Sequence, residues 1–199
     1  MTAIVLAGGK SSRLGRDKAL EIIGGKTLIE RVIDSLSQLG DDIIVVTAAP
    51  NQLSALHVEK VLDTYPRTGA KVGLCTGLNA SSSFYSLVVA CDMPFLNIGL
   101  LRHLIDSASG FDAVIPRIGD NIEPLHAVYS KNCIPVLEEH IRKGRMKISD
   151  LFDEINVRYA EADEIERYDP QHLSLFNINS EADLKRAKSI VEKGSHDQR

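Results

Sequence analysis

The chain has few of the residues that mark secreted, zinc-bound or membrane-embedded proteins. Its three cysteines, Cys75, Cys91 and Cys133, are odd in number, far apart and without Cys-x-x-Cys spacing. A disulfide framework or a zinc site is therefore not expected, and reduced thiols indicate a cytoplasmic protein. No apolar run is long enough to span a membrane, and the N-terminus predicts a strand rather than a signal peptide.

An excess of positive charge is also missing. The formal net charge is −4, so a nucleic-acid partner is not favoured. Apolar residues make up 44% of the 199 positions and charged residues 25%, which is typical of a globular domain. We expect a single domain over residues 1–193 and a frayed tail over residues 194–199.

Short apolar runs alternate with amphipathic segments through residue 116. Strands are predicted at 3–6, 43–46, 58–62, 84–90 and 112–116, and helices at 27–39, 71–80 and 100–108. Thr27 and Glu30 form a capping box at the start of the first helix. This order predicts an α/β three-layer sandwich with a mostly parallel, doubly wound sheet.

The last third of the chain is less regular. The pattern predicts a strand at 122–129, helices at 131–143 and 147–153, an edge strand at 157–160, a loop at 161–172 and a final helix capped by Ser180.

The stretch after the first strand has the composition of a phosphate-binding loop. Ala7, Gly8 and Gly9 have no side chain larger than methyl, so a nucleotide could lie directly on their backbone N–H groups. Four cations follow in quick succession, Lys10, Arg13, Arg16 and Lys18. Backbone donors and cations beyond a strand suit a polyphosphate.

Spacing excludes two common phosphate loops. A Walker loop ending at Gly25-Lys26-Thr27 would need glycine at position 20, which is Leu20. A dinucleotide fingerprint starting at Gly8 would need glycine where the chain has Lys10. The stretch after the first strand is therefore neither a Walker loop nor a dinucleotide-binding loop, but a third kind of phosphate-binding loop.

Asp92 is the second candidate. It follows a predicted strand and precedes Pro94, and a carboxylate at a strand end beside a polyphosphate suits Mg²⁺. A turn aspartate before proline is the alternative. Since ligands bind outside the carboxyl ends of parallel strands, Asp92 should converge with the other strand-end residues on one crevice. Those residues are Leu6, Thr47 and Asp63.

Together these parts suggest attack on the α-phosphate of a nucleoside triphosphate. Lys18 and Arg13 would neutralise charge on the attacked phosphoryl group and on departing pyrophosphate. An acceptor that is already an anionic phosphate monoester would need no general base.

Residues 6–19 resemble the signature of the molybdenum cofactor guanylyltransferases. Residues 90–95, Ala-Cys-Asp-Met-Pro-Phe, resemble the second motif of that family, and residues 123–129 and 176–180 resemble two further segments. The resemblances occur in family order from residue 4 to about residue 188, which is nearly the whole chain.

This resemblance implies a Rossmann-like nucleotidyltransferase fold and transfer of GMP from GTP to the terminal phosphate of molybdopterin carrying molybdenum. The family is Mg²⁺-dependent and cytoplasmic. Its place in cofactor synthesis suggests molybdenum-insertion and molybdoenzyme-maturation proteins as partners.

The resemblance also implies residue roles. Leu6, Ala7 and Gly8 would contact the nucleotide, Lys18 its phosphates and Asp63 the nucleoside, and Asp92 would bind both the nucleotide and Mg²⁺. Asn177 and Asn179 match a pair associated with the pterin. Both could instead be loop residues before the Ser180 helix cap.

Gly8 bears on the choice of base. In the wider family Leu-Ala-Gly-Gly goes with guanine users and Leu-Ala-Ala-Gly with cytosine users, so this chain resembles the guanine group. It departs from the family at Thr47, where Asn is frequent, and over residues 67–73, where a Gly-Pro-Leu-x-Gly segment is frequent.

Two alternatives stay open at this point. One is a nucleotidyltransferase that uses another acceptor, a sugar or alcohol phosphate, with GTP or CTP. The other is a nucleotide-binding module without turnover, against which the presence of both Lys18 and Asp92 speaks.

Overall fold

The computed structural model describes residues 1–7, 18–40, 42–48, 50–63 and 69–196. The predictions for Gly8, Gly9 and Arg13, and for the end of the tail at residues 197–199, lie outside the described residues.

The described residues contain ten strands and six α-helices. The strands are β1 (Thr2–Leu6), β2 (Ile22–Ile23), β3 (Lys26–Thr27), β4 (Ile43–Thr47), β5 (Glu59–Leu62), β6 (Tyr85–Ala90), β7 (Ala113–Ile118), β8 (Asn121–Ile122), β9 (His126–Ser130) and β10 (Val157–Ala160). The helices are α1 (Leu28–Leu36), α2 (Ala70–Ala80), α3 (Ile98–Asp106), α4 (Cys133–Lys143), α5 (Ala162–Glu166) and α6 (Glu181–His196).

The main sheet has the strand order β10-β7-β9-β6-β1-β4-β5. β1 is parallel to both of its neighbours, with Val5 beside Val45 and Val89, whereas β9 runs antiparallel to β6 and β7. The predicted mostly parallel sheet is therefore confirmed. From β1 the chain builds outward to β5 and then returns to β6 on the other side of β1. The point where the order reverses lies between β1 and β6, where ligands bind in such sheets.

Helices cover both faces of the sheet, which confirms the three layers. α1, α3 and α5 contribute buried residues to the core on one face, and α2 and α4 to the core on the other. All five residues of β1 are buried, which explains the uninterrupted apolar run at residues 3–6. α2 approaches β1 closely at Gly77, where an added Cβ would lie 2.6 Å from Ile4 Cγ2.

Local capping explains one confirmed prediction and one wrong one. The Thr27–Glu30 capping box starts α1 as predicted. The predicted loop over 161–172 contains α5, because Glu161 and Glu164 form a second capping box and Ile165 packs into the core. A single buried residue in a polar segment leaves no apolar periodicity to detect.

The final helix packs on the β2–β3 hairpin rather than on the main sheet. Ile23, Leu28, Ile178, Leu184 and Ala187 form a small separate core there. Among the described residues, no helix combines the length and apolar character needed to cross a membrane.

Ser180 starts α6 as predicted. The Asp183 backbone N–H donates to Ser180 Oγ over 3.2 Å, and Ser180 Oγ donates to Asp183 Oδ2 over 2.8 Å. The cap thereby fixes the segment just before the helix.

Candidate functional site: the crevice between β1 and β6

The predicted strand-end residues lie along one edge of the sheet. Backbone N–H groups tie adjacent ends together, from Cys91 to the Leu6 carbonyl (3.2 Å), from Ala7 to the Val46 carbonyl (2.9 Å) and from Asp63 to the Thr47 carbonyl (3.1 Å). Asp63, Thr47, Ala7 and Asp92 therefore follow one another across the carboxyl ends of β5, β4, β1 and β6.

Asp63 is tied to the helix that follows it. The Thr76 hydroxyl on α2 donates to Asp63 Oδ1 over 3.2 Å. Thr47, next to it, is buried, with 3% of its surface exposed. Contacts of Asp63 and Thr47 with a nucleoside stay predictions.

Lys18 and Asp92 meet at the point where the strand order reverses. Lys18 Nζ lies 3.2 Å from Asp92 Oδ2, and each side chain is 17% exposed. Lys18 opens a short 3₁₀ turn whose next residue, Ala19, is buried. A cation and a carboxylate are thus held side by side at the carboxyl ends of β1 and β6, and their roles toward phosphates and Mg²⁺ stay predictions.

Asn179 completes this cluster. Lys18 Nζ donates to Asn179 Oδ1 over 2.7 Å, although the two residues are 161 positions apart. The Ile178 backbone N–H donates to the Asp92 carbonyl over 3.0 Å, and the Ile178 side chain is buried. Ile178 is buried, whereas Asn177 on one side of it is partly exposed and Asn179 on the other side is exposed.

Glu123 is a site residue that the sequence reasoning did not single out. The Asn177 side-chain amide donates to Glu123 Oε2 over 2.9 Å, and the Leu125 backbone N–H donates to Oε1 over 3.3 Å. Burial raises the pKa of Glu123, and the nearby charge of Asp92 raises it further, whereas the hydrogen bonds from Asn177 and Leu125 lower it. The sequence feature that could have identified Glu123 is the family-like segment at residues 123–129, of which it is the first residue.

The reason that Glu123 reaches the crevice is the direction of β9. Because β9 is antiparallel to β6, the residues just before β9 lie at the carboxyl end of β6. The Ala90 backbone N–H donates to the Leu125 carbonyl over 3.0 Å, which fixes this proximity.

The donor set at the crevice fits a lightly coordinated hard cation. Asp92 supplies a carboxylate at a strand end. Glu123 is close enough to Asp92 for the two side chains to interact electrostatically. Within the described residues no cluster of three or more His, Cys, Asp or Glu could hold a metal alone. Mg²⁺ requires only one or two carboxylates when phosphates and water complete its shell, so these residues are compatible with it.

Comparisons with known proteins agree with this geometry. The family model of the MobA-like NTP transferase domain matches residues 3–158. A molybdenum cofactor guanylyltransferase from Desulfosudis oleivorans is 33% identical over 196 residues, covering 98% of this chain and 97% of the relative. A probable molybdenum cofactor guanylyltransferase from Methanosarcina mazei is 36% identical over 199 residues, covering 92% and 88% of the two chains.

A solved structure shows the same architecture. The molybdopterin-guanine dinucleotide biosynthesis protein A from Archaeoglobus fulgidus superposes with a TM-score of 0.87 at 33% identity, covering 97% of this chain and 100% of that chain. The chain therefore belongs to the molybdenum cofactor guanylyltransferase family of MobA-like nucleotidyltransferases, and it is an enzyme of that class.

Proposed function

We propose that this enzyme transfers GMP from GTP to the phosphate of molybdopterin and releases pyrophosphate. The observation that carries the proposal is the contact of Lys18 with both Asp92 and Asn179 at the carboxyl ends of β1 and β6. Lys18 thereby contacts both a carboxylate suited to a metal–nucleotide complex and the side-chain amide of Asn179. Asn179 belongs to the segment that resembles the family's pterin-associated motif. The names of the relatives support both substrates.

The nucleotide would lie along the edge of the sheet. Its phosphates would sit at the end of β1, over Ala7 and the glycines that follow it, and its nucleoside would extend toward Asp63. The order of strand ends, with Asp63 two strands away from Ala7, supports this direction.

The reaction is an in-line displacement at the α-phosphorus. An oxygen of the acceptor phosphate forms the new P–O bond, and the bond from the α-phosphorus to the oxygen bridging to the β-phosphate breaks. The bonding electron pair leaves with pyrophosphate. No side chain must remove a proton, because a phosphate monoester is already anionic near neutral pH. Catalysis then consists of positioning and of neutralising charge.

The position of Lys18 supports a role in that neutralisation. Its ammonium group lies at the boundary between the Asp92 carboxylate and the Asn179 amide, where donor and acceptor phosphates would meet. A partly shielded cation stabilises developing negative charge more strongly than one in open solvent.

Asp92 is the residue that would hold Mg²⁺. The metal would supply positive charge to the phosphate oxygens and orient them for displacement.

Pyrophosphate release tests the proposal and separates it from the alternatives. The pure protein is incubated with Mg²⁺, one nucleoside triphosphate at a time, and either molybdopterin or a sugar or alcohol phosphate. Release with GTP and molybdopterin is expected. Release only with another acceptor, or only with CTP, would replace the proposed substrates, and tight GTP binding without release would identify a non-catalytic module.

A further inference from the structure

The side-chain amides of Asn177 and Asn179 are held in opposite senses. Asn177 Nδ2 donates to Glu123 Oε2 over 2.9 Å and to the Leu175 carbonyl over 3.4 Å. Asn179 Oδ1 accepts from Lys18 Nζ over 2.7 Å. One amide is therefore fixed through its nitrogen, and the other through its oxygen.

The chemistry of the partners fixes both orientations. A backbone carbonyl and a carboxylate accept hydrogen bonds, so Asn177 must present its NH₂ group to them. An ammonium group only donates, so Asn179 must present its oxygen to Lys18. Among the described residues, the hydrogen bonds of these two side chains leave an acceptor, Asn177 Oδ1, and a pair of donors on Asn179 Nδ2 for a ligand.

We propose that Glu123 is a positioning residue for the acceptor substrate, because it holds Asn177 with Oδ1 available as a hydrogen-bond acceptor beside the donors of Asn179. This inference rests on the proposed function and deepens it. The complementary ligand carries an N–H or O–H donor opposite Asn177 and an anionic oxygen opposite Asn179 and Lys18. A phosphate monoester attached to an N–H-bearing heterocycle has both groups.

Glu123 acts through Asn177 rather than by touching the substrate. Both of its carboxylate oxygens already accept hydrogen bonds from the protein, from Asn177 and from the Leu125 backbone. Its removal would leave only the 3.4 Å hydrogen bond to the Leu175 carbonyl to hold the Asn177 amide, so orientations that present NH₂ where the ligand needs an acceptor would become more populated.

The test is a double-mutant cycle on acceptor kinetics with Glu123→Ala, Asn177→Ala and the double variant. It uses saturating GTP and whichever acceptor phosphate supports pyrophosphate release, so that it can fail independently of the assignment of molybdopterin. Loss of one hydrogen bond should raise the acceptor KM about 2- to 10-fold in each single variant. The double variant should be no worse than Asn177→Ala, and the KM for GTP should stay unchanged.

Two further variants separate positioning from general stability. Glu123→Gln keeps the size of the side chain and one acceptor oxygen, so it should recover part of the acceptor KM. Glu138→Ala, on the exposed side of α4, is the control and should match the wild type. The proposal would be overturned if Glu123→Ala raised the acceptor KM by the same factor in the wild type and in the Asn177→Ala variant. It would also be overturned if Glu123→Ala changed only the melting temperature or only the KM for GTP.

Discussion

The ammonium nitrogen of Lys18 lies 3.2 Å from a carboxylate oxygen of Asp92, 74 positions away in the chain. The two side chains are shielded to the same degree, at 17% exposure each. Such a pair is neither an exposed surface bridge nor a buried one. It can exchange its internal contact for phosphates and a cation without stranding a charge in the protein interior.

Lys18→Ala should slow pyrophosphate release by about 100-fold, because it strips positive charge from the phosphates in the transition state. Lys18→Arg keeps the charge and should be less impaired. The measurement is kcat at saturating GTP and acceptor. Lys26→Ala is the matched control, since Lys26 pairs with Asp34 on the surface and is 58% exposed. An unaltered rate in Lys18→Ala would remove Lys18 from the site.

Asp92→Ala should abolish transfer while the protein stays folded, because the carboxylate proposed to hold Mg²⁺ is gone. Pyrophosphate release and Mg²⁺ dependence report on the reaction, and circular dichroism reports on the fold. Asp106→Ala, at the opposite end of α3 from the crevice, is the control. Retained activity with an unchanged Mg²⁺ requirement would refute the metal role of Asp92.

Gly8→Ala should shift the ratio of kcat/KM for GTP to that for CTP toward CTP. The position lies outside the described residues, and the hypothesis comes from the sequence, where a residue without Cβ leaves room for the larger purine. Competition between the two nucleotides at equal concentration measures the ratio. An equal GTP-to-CTP ratio of kcat/KM in the variant and the wild type would contradict the hypothesis.

The buried side chain of His126 should make the free energy of unfolding decrease at acidic pH. Burial lowers its pKa from 6.5 to about 4, although Asp169 acts in the opposite direction. Between these values the unfolded chain binds a proton that the folded chain excludes, so the free energy of unfolding decreases as pH falls through this window. The contribution lost there is roughly 3 kcal/mol.

His126→Leu should flatten that dependence. Neither ring nitrogen has a hydrogen-bond partner among the described residues, so an apolar side chain strands no donor or acceptor. Urea unfolding at a series of pH values measures the effect in both proteins. Parallel stability curves for wild type and variant would show that His126 does not titrate in this window.

Gly77→Ala should destabilise the fold by about 1–3 kcal/mol, since the added methyl would overpack the contact between α2 and β1. The clash is with Ile4 Cγ2, at 2.6 Å. Gly73→Ala is the matched control on the same helix, because its Cβ would meet Leu6 Cδ2 at 3.4 Å. Thermal unfolding should show a lower melting temperature for Gly77→Ala but not for Gly73→Ala. A higher melting temperature for Gly77→Ala, from improved helix propensity alone, would contradict the packing argument.

Much of the architecture follows from local patterns. Apolar runs and helical stripes predict β1, β4, β6 and the helices between them, because both faces of a parallel sheet must be covered. The convergence of Leu6, Thr47, Asp63 and Asp92 follows from the same logic, since parallel strands place their carboxyl ends at one edge. These predictions need only the order of elements.

What sequence reasoning missed depends on long-range pairing. The strand predicted from residue 122 begins at His126, and a separate two-residue strand, β8, pairs with β7. The role of Glu123 depends on β9 running antiparallel, which no local period encodes. α5 was missed because it buries only Ile165.

The tie between Ile178 and Asp92 has a consequence for biogenesis. Both asparagines arrive from a segment that leaves the ribosome after every strand of the main sheet has been made. A nascent chain stalled before residue 177 could assemble those strand ends yet would lack the two amides that we propose face the acceptor substrate. Under the proposed function, such a chain would not yet be competent for group transfer.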